Sequence, residues 1–297
     1  MDKNTNCTLT VFTPAYNRAH TLPRTYESLK RQSCKDFIWL IIDDGSTDGT
    51  AQLVQEWQSQ DNGFEIQYIY KENGGMHTAH NTAYANIHTE LNVCIDSDDW
   101  MTPTAVEDIL CFWGNNKSLN YAGLIALDIT ENGELIGKKF QEGVCDISFN
   151  DYFSVEGNGD KKLVYKTEIV KEFGKYPVFD GEKYFGLDWL YRKIDKKYSL
   201  LVLNKPICIV EYQADGSSAT MYRQYIKNPK GFAFYRKEIM KAPRNSKELI
   251  KNVIHYISSS ILAKNNEFIL ESPKKGLTVL LIPVGVILCL YIKWRNK

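Results

Sequence analysis

Three aspartates, Asp96, Asp98 and Asp99, crowd the end of a short apolar run, Asn92-Val93-Cys94-Ile95. Carboxylates this close repel one another and raise each other's pKa unless a cation lies between them. Oxygen-only donors suit Mg²⁺ or Mn²⁺, so the chemistry on offer is divalent-cation binding. The competing reading is a solvated turn or helix cap, because Thr102-Pro103 behind them reads as an N-cap followed by a first-turn proline. Three further polar clusters accompany the acids: Thr13-Pro14-Ala15-Tyr16-Asn17-Arg18, Asp43-Asp44-Gly45-Ser46-Thr47-Asp48, and Asn73-Gly74-Gly75 with Ala79-His80-Asn81 behind it.

Each cluster follows a β-prone run, at 9–12, 37–42, 66–70 and 91–95, and helical patterns at 22–32, around Leu53, Val54 and Trp57, and at 78–87 separate the runs. Strand alternating with helix predicts a parallel sheet with right-handed crossovers, and the continuous run 37–42 predicts a strand buried on both faces. All four clusters then fall along one edge of that sheet, facing a common crevice. Pro103 is expected to start a helix through Val106, Ile109, Leu110 and Trp113. Beyond it, 121–129 and 134–140 read as a hairpin around Asn132-Gly133. A short helix near Asp188, strands at 200–203 and 207–212, a loop over 213–230, and helices around Phe232–Ile239 and Leu249–Ile261 complete the reading.

The 297 residues, 43% hydrophobic, suffice for a substantial core, and 36 basic residues balance 36 acidic ones, so a field for gripping nucleic acid is lacking. Seven cysteines, scattered and without a Cys-x-x-Cys pair, indicate neither a zinc knuckle nor a disulfide framework and fit a reducing cytosol. Residues 1–6 carry no apolar stretch of the secretory kind. Near the other end, 276–292 contains no charge, with Lys274 and Lys275 before it and Lys293, Arg295 and Lys297 after it. As a helix it would extend roughly 26 Å, slightly short of a bilayer core, and Pro283 and Gly285 allow a kinked or interfacial segment. Membrane contact is the expectation, with a buried core helix as its rival.

Taken together, the four clusters in this order resemble the family 2 glycosyltransferases of the GT-A fold, over roughly residues 7–215. The resemblance implies a Rossmann-like, mostly parallel twisted sheet flanked by helices, with a C-terminal helical extension. It divides the chain into a glycosyltransferase domain, 1–225, with a nucleotide-binding half to about 115 and an acceptor half after it, and a helical region, 226–297. The donor implied is a nucleotide-sugar, a UDP-sugar, with Mn²⁺ or Mg²⁺ neutralising the diphosphate as it leaves. By resemblance Asp98 is the first metal ligand in the Asp-x-Asp motif, with Asp99 nearby, Asp96 toward the ribose and Ser97 between them. Asp44 matches the residue that accepts a hydrogen bond from uracil, with Asp43 as support or helix cap; Thr13, Pro14 and Tyr16 match the loop against the nucleoside. Gly74 and Gly75 would admit the donor close to the backbone. The family often carries Arg where His80 stands here, and lone histidines such as His77 and His80 are more often surface or packing residues.

Inverting transfer needs a base for the acceptor hydroxyl. The family places an acid just before a helix downstream of the metal motif, where this chain reads Gly181 to Leu190; Leu187 replaces the first acid of the usual pair. Asp188 is the first candidate and Glu182 the second, with a helix-terminal charge and an exposed loop acid as their structural alternatives. The 213–230 loop, with Arg223 and Lys227, is a candidate lid, or else a solvated basic face. The expected function is metal-dependent inverting transfer of a hexosyl or N-acetylhexosaminyl group to a glycan or lipid-linked acceptor in surface-polysaccharide synthesis, at the cytoplasmic face of the membrane. A sugar nucleotidyltransferase and a catalytically silent nucleotide-sugar or cation-binding module are the alternatives. A nucleotidyltransferase would show a Gly-rich phosphate loop after its first strand, and Thr13–Arg18 lacks the glycines.

Overall fold

The computed structural model describes residues 7–116, 121–155, 157–212 and 220–296. In chain order the elements are β1 (Leu9–Ala15), α1 (Leu22–Lys30), β2 (Phe37–Asp43), α2 (Thr50–Gln58), β3 (Glu65–Tyr70), α3 (Met76–Asn86) and β4 (Leu91–Cys94). There follow β5 (Trp100–Met101), α4 (Ala105–Asn116), β6 (Tyr121–Ile129), β7 (Asp146–Ile147), α5 (Phe149–Ser154), β8 (Lys161–Lys166), α6 (Thr167–Glu172), α7 (Asp188–Ile194) and β9 (Ser199–Ile209). Helices close the chain: α8 (Met221–Lys227), α9 (Pro229–Lys241), α10 (Ser246–Leu262), α11 (Phe268–Glu271) and α12 (Lys275–Arg295).

One sheet runs β3-β2-β1-β4-β8-β6-β9-β5, with β7 paired to β9. Its first four strands are parallel, as the βα alternation requires. Beyond β4 it is mixed: β8 is antiparallel to β4 and β6, while β6 and β9 are parallel. Phe37–Asp43 is buried along almost its whole length, because α1, α2 and α4 cover one face of the sheet through Leu22, Tyr26, Leu29, Val54, Trp57, Ile109 and Trp113. Tyr26 stacks on Trp57 at 4.3 Å, and Trp39 stacks against both, 6.1 Å from Tyr26 and 5.8 Å from Trp57. Phe12 points to the other face, against His80 and Tyr84 of α3 at 5.0 and 5.5 Å.

The structure corrects several expectations. β1 continues through Thr13 and Pro14 to Ala15. Pro14 is tolerated there because Phe12 O, on the same side of the strand, accepts the last β4 bond from Ile95 N, whereas Ala15 O faces β2 and accepts from Asp44 N. The missing N–H of Pro14 therefore falls where the β4 ladder has ended. Pro103 does not open α4; the helix begins at Ala105, and the Thr102 hydroxyl donates to Pro206 O at 2.9 Å instead of capping. The proposed hairpin has its turn, with Gly133 at φ 80°, and a single bridge from Ile129 to Leu135, but 134–140 forms no strand; β6 pairs with β8 and β9 instead. The two strands expected at 200–203 and 207–212 are one, β9. The expected 213–230 loop holds α8 and the start of α9, with Arg223 and Lys227 on α8; Asp215-Gly216-Ser217-Ser218 lies outside the described residues.

The described residues form two compact units. One comprises the chain to Asn73, Thr78–Lys175 and Leu190–Tyr212; the other comprises Gly74–His77, Tyr176–Trp189 and the chain from Gln213. The first contains the sheet. The second is helical, with a core of Ala233, Met240, Val253, Tyr256 and Ile257 joined by Leu277 and Leu281 of α12. Among the described residues α12 is the one helix long and apolar enough to cross a membrane.

Candidate active site

The carboxyl ends of β2, β1 and β4 lie side by side because their ladders run in register. Asp44 follows β2 and Asp96 follows β4, so two inter-strand steps, about 10 Å, separate them across the end of β1. The loops are locked together. Asn17, at φ 54°, accepts from Thr47 N at 2.8 Å and donates its own N–H to Ser46 Oγ at 2.9 Å. Asp43 accepts from Ser46 N at 2.7 Å and Tyr68 Oη at 2.5 Å, which makes it a turn support; the N-cap of α2 is Gly49, and Asp48 before it accepts from Thr50 N at 3.0 Å and Thr50 Oγ1 at 2.6 Å.

Asp44 is buried and its carboxylate pairs with Lys71, while Asn73 Nδ2 donates to Asp44 O at 2.8 Å. Tyr16 is half exposed, with its ring free to pack on a flat group. Thr13 is fully buried and its hydroxyl accepts from Trp39 Nε1 at 3.0 Å, so its side chain serves the sheet interior.

The acid turn after β4 is pinned from α1: Arg24 donates to Asp98 O at 2.9 Å and Thr25 Oγ1 to Asp99 O at 2.7 Å. Asp99 N bonds Asp96 O at 2.9 Å, which closes the turn over buried Ser97. Lys162 of β8 is the resident cation. Its Nζ stands 3.2 Å from Asp99 Oδ2; burial opposes its charge, yet Cys208, Asp128, Asp99 and Asp96 around it hold the ammonium well above its ordinary pKa. Burial pushes up all three motif carboxyls, and neighbouring acids add to it: Asp98 on Asp96, Asp99 on Asp98, and Asp96 on Asp99. Lys162 works against the rise at each, and Arg18 at Asp96 and Asp98. Asp99 also accepts from Glu211 N at 3.3 Å. Asp98, partly exposed, makes no ion pair among the described residues. No group of three or more His, Cys, Asp or Glu is arranged for a metal among the described residues.

The remaining candidates belong to the helical unit. Gly75, at φ 91°, abuts Lys183 O so tightly that a Cβ would come within 1.8 Å of it; the missing side chain serves this backbone contact. Glu182 is buried, not an exposed loop acid: its two oxygens accept from Lys230 N and Gly231 N, each at 2.7 Å, and so cap the first turn of α9. Burial raises its pKa while those two amides lower it. Asp188 opens α7 and accepts from Tyr235 Oη at 2.5 Å. His77 and His80 are both buried, so packing is the reading that fits them; His77 lies 6.1 Å from the Phe185 ring.

Sequence reasoning missed Lys162, Asp128, Lys71 and Glu211. Asp128 is buried, with its carboxyl pushed up to about 7 by burial and by Asp99, against the pull of Lys162. Register alone reveals Lys162: the antiparallel pairing of Val93 with Val164 carries residue 162 to the acid end of β4. The available signal was weak, since β8 carries three lysines, Lys161, Lys162 and Lys166, and only the register tells them apart.

The model of the family described as Glycosyl transferase family 2 matches residues 10–157, and over that segment the chain belongs to this family. The chain is 33% identical to the glycosyltransferase GlyA of Streptococcus pneumoniae over 164 residues, 55% of this chain and 21% of GlyA. It is 33% identical to the chondroitin synthase of Escherichia coli over 134 residues, 44% of this chain and 19% of the synthase. The matched region thus spans about a fifth of these relatives. Among solved structures, S. aureus TarS 1-349 in complex with UDP-GlcNAc superposes with a TM-score of 0.62 at 17% identity, covering 92% of this chain and 78% of that one. The mannosyltransferase PcManGT of Pyrobaculum calidifontis, in complex with GDP-Man and Mn²⁺, gives 0.55 at 14% identity, covering 96% and 87%. The GT-A fold expected from the four clusters is the fold of the chain.

Proposed function

We propose that the chain is an inverting glycosyltransferase that moves a sugar from a UDP-sugar to a glycan or lipid-linked acceptor in surface-polysaccharide synthesis. The observation that carries this reading is the alignment of Asp44, Tyr16 and Asp98 along the carboxyl edge of three adjacent parallel strands. Tyr16 packs against the nucleoside and Asp44 receives the base. The chondroitin synthase and the UDP-GlcNAc complex of TarS support the acceptor and donor classes.

The donor set fits a hard divalent ion, Mn²⁺ or Mg²⁺, because Asp98 is an oxygen ligand that Lys162 does not engage directly. Asp98 would hold it, and Asp99, occupied by Lys162, positions the turn beneath. Bound there, the metal would neutralise charge on the departing diphosphate. In the transfer, the acceptor oxygen bonds to the anomeric carbon as the bond to the β-phosphate oxygen breaks, and Asp188 takes the acceptor proton. The engagement of both Glu182 oxygens by the first turn of α9 supports Asp188 over Glu182 for that role. The helical region, through α12, keeps the enzyme at the cytoplasmic membrane face.

The test is a thermal-shift panel of nucleotide sugars with and without Mn²⁺, followed by UDP release in the presence of acceptor. A UDP-sugar should stabilise the fold, and Asp98→Ala should slow transfer by about 10³-fold. Metal-dependent UDP binding with neither transfer nor hydrolysis would leave a silent binding module instead.

A further inference from the structure

We propose that α10 and α12 lie in the plane of a membrane and that the groove between them receives acyl chains of anionic phospholipid; this rests on the membrane contact read above and adds its geometry. α12 turns a narrow stripe, Thr278, Leu281, Gly285, Cys289 and Ile292, toward its own unit, while Leu280, Ile287, Leu290 and Trp294 are more than three-fifths exposed. Gly285 brings the helices together: a Cβ there would stand 2.4 Å from Ile257 Cγ2. On one side of this crossing an apolar groove of about 630 Å³ opens, walled by Ile250 and Ile254 of α10 and by Val284, Ile287 and Leu288 of α12. That volume lies in the range of ligand pockets.

Charge on the rim identifies the occupant. Lys247 and Lys251 stand on the α10 wall and Arg295 on the last turn of α12, and none of the three is in an ion pair among the described residues. Arg295 lies 5.3 Å over the Tyr222 ring, Tyr222 meets Tyr291 at 5.9 Å, and Tyr291 meets the exposed Trp294 at 6.0 Å. Cations beside tyrosine and tryptophan mark the headgroup level of a bilayer, with apolar side chains reaching below it.

Lys251 also argues against a spanning helix. Lys251 shares the groove with Val284 and Ile287, near the middle of α12, so a crossing α12 would carry that ammonium to the hydrocarbon centre. A second copy of the chain is disfavoured as well, since a two-fold interface would set these cationic walls against themselves.

Sedimentation of the full chain with phosphatidylcholine vesicles, with and without phosphatidylglycerol, tests the proposal. Binding should require the anionic lipid and be reversed by about 1 M salt, which shortens the Debye length to a few ångströms. Lys247→Gln with Lys251→Gln should weaken it about thirtyfold while UDP stabilisation and thermal unfolding stay unchanged. Retention through salt and alkaline carbonate would mean that α12 spans, and overturns the in-plane geometry while keeping the membrane reading. Absence of binding to either vesicle would remove the membrane reading itself. Self-association that Ile287→Ser abolishes, without vesicle binding, would give the groove to a second copy.

Discussion

The acid end of β4 and the crossing of α10 with α12 are both close-packed, and they are held by opposite means. Around Asp96, Asp98 and Asp99 the chain buries charge, and one ammonium, Lys162, answers for several carboxyls. At the helix crossing no charge is involved, and a missing side chain at Gly285 lets Ile257 approach. The first arrangement specifies where each group must stand, because an uncompensated buried charge is costly. The second tolerates any contents of suitable shape. Chemistry is expected at the first and surface contact at the second for that reason.

Removing the cation gives the largest contrast. Lys162→Met should lower stability by about 3–5 kcal/mol at neutral pH, since Asp96, Asp99 and Asp128 would lose their shared partner. Urea unfolding measures this, and the loss should shrink in acid, where the carboxyls take up protons. A change below about 1 kcal/mol would show that these acids are solvated and that the cluster is an ordinary surface turn.

Asp128→Asn sharpens the same region through the pH dependence of its stability. Its carboxyl is raised from 3.8 to about 7 in the folded chain, chiefly by burial. The folded state therefore binds more protons than the unfolded one between these values, and stability falls as pH rises through the window, by up to about 1.4 kcal/mol per pH unit. Asparagine cannot lose a proton, so the variant should unfold at higher temperature than the parent above pH 7 and converge on it toward pH 4. Parallel curves would mean that Asp128 is not the group responsible.

How much of this was legible differs between the two regions in the same way. The parallel half could be read from alternating runs, because a buried strand must be apolar and each must end in polar residues. The acids stood out by type and spacing, and Tyr16 through the family resemblance. Lys162 did not, since its meaning comes from an antiparallel strand that arrives some 70 residues later, and sequence separation hides register. The 134–140 segment misled for a related reason: a good turn at Asn132-Gly133 suggested a partner strand, whereas long-range pairing with β8 and β9 took both edges of β6. Glu182 looked like a loop acid because the helix it caps begins 47 residues further on, at Pro229. Segment 276–292 revealed its apolar character but not that Gly285 would seat against α10.

That seat supplies the smallest of the predicted effects. Gly285→Val inserts a side chain where even a Cβ would stand 2.4 Å from Ile257 Cγ2 and 2.6 Å from Ile257 Cβ, so helix or side chain must shift. Overpacking of this kind costs about 2 kcal/mol, partly offset because valine suits a helix better than glycine. Ile257→Ala alone should also destabilise, by leaving a cavity beside buried Val253 and Tyr256. Together the two changes should cost less than their sum, since the truncated side chain vacates the space that valine enters. Strict additivity in a double-mutant cycle would show that the helices do not meet at Gly285, and that α12 lacks the close seat that a shape-only contact requires.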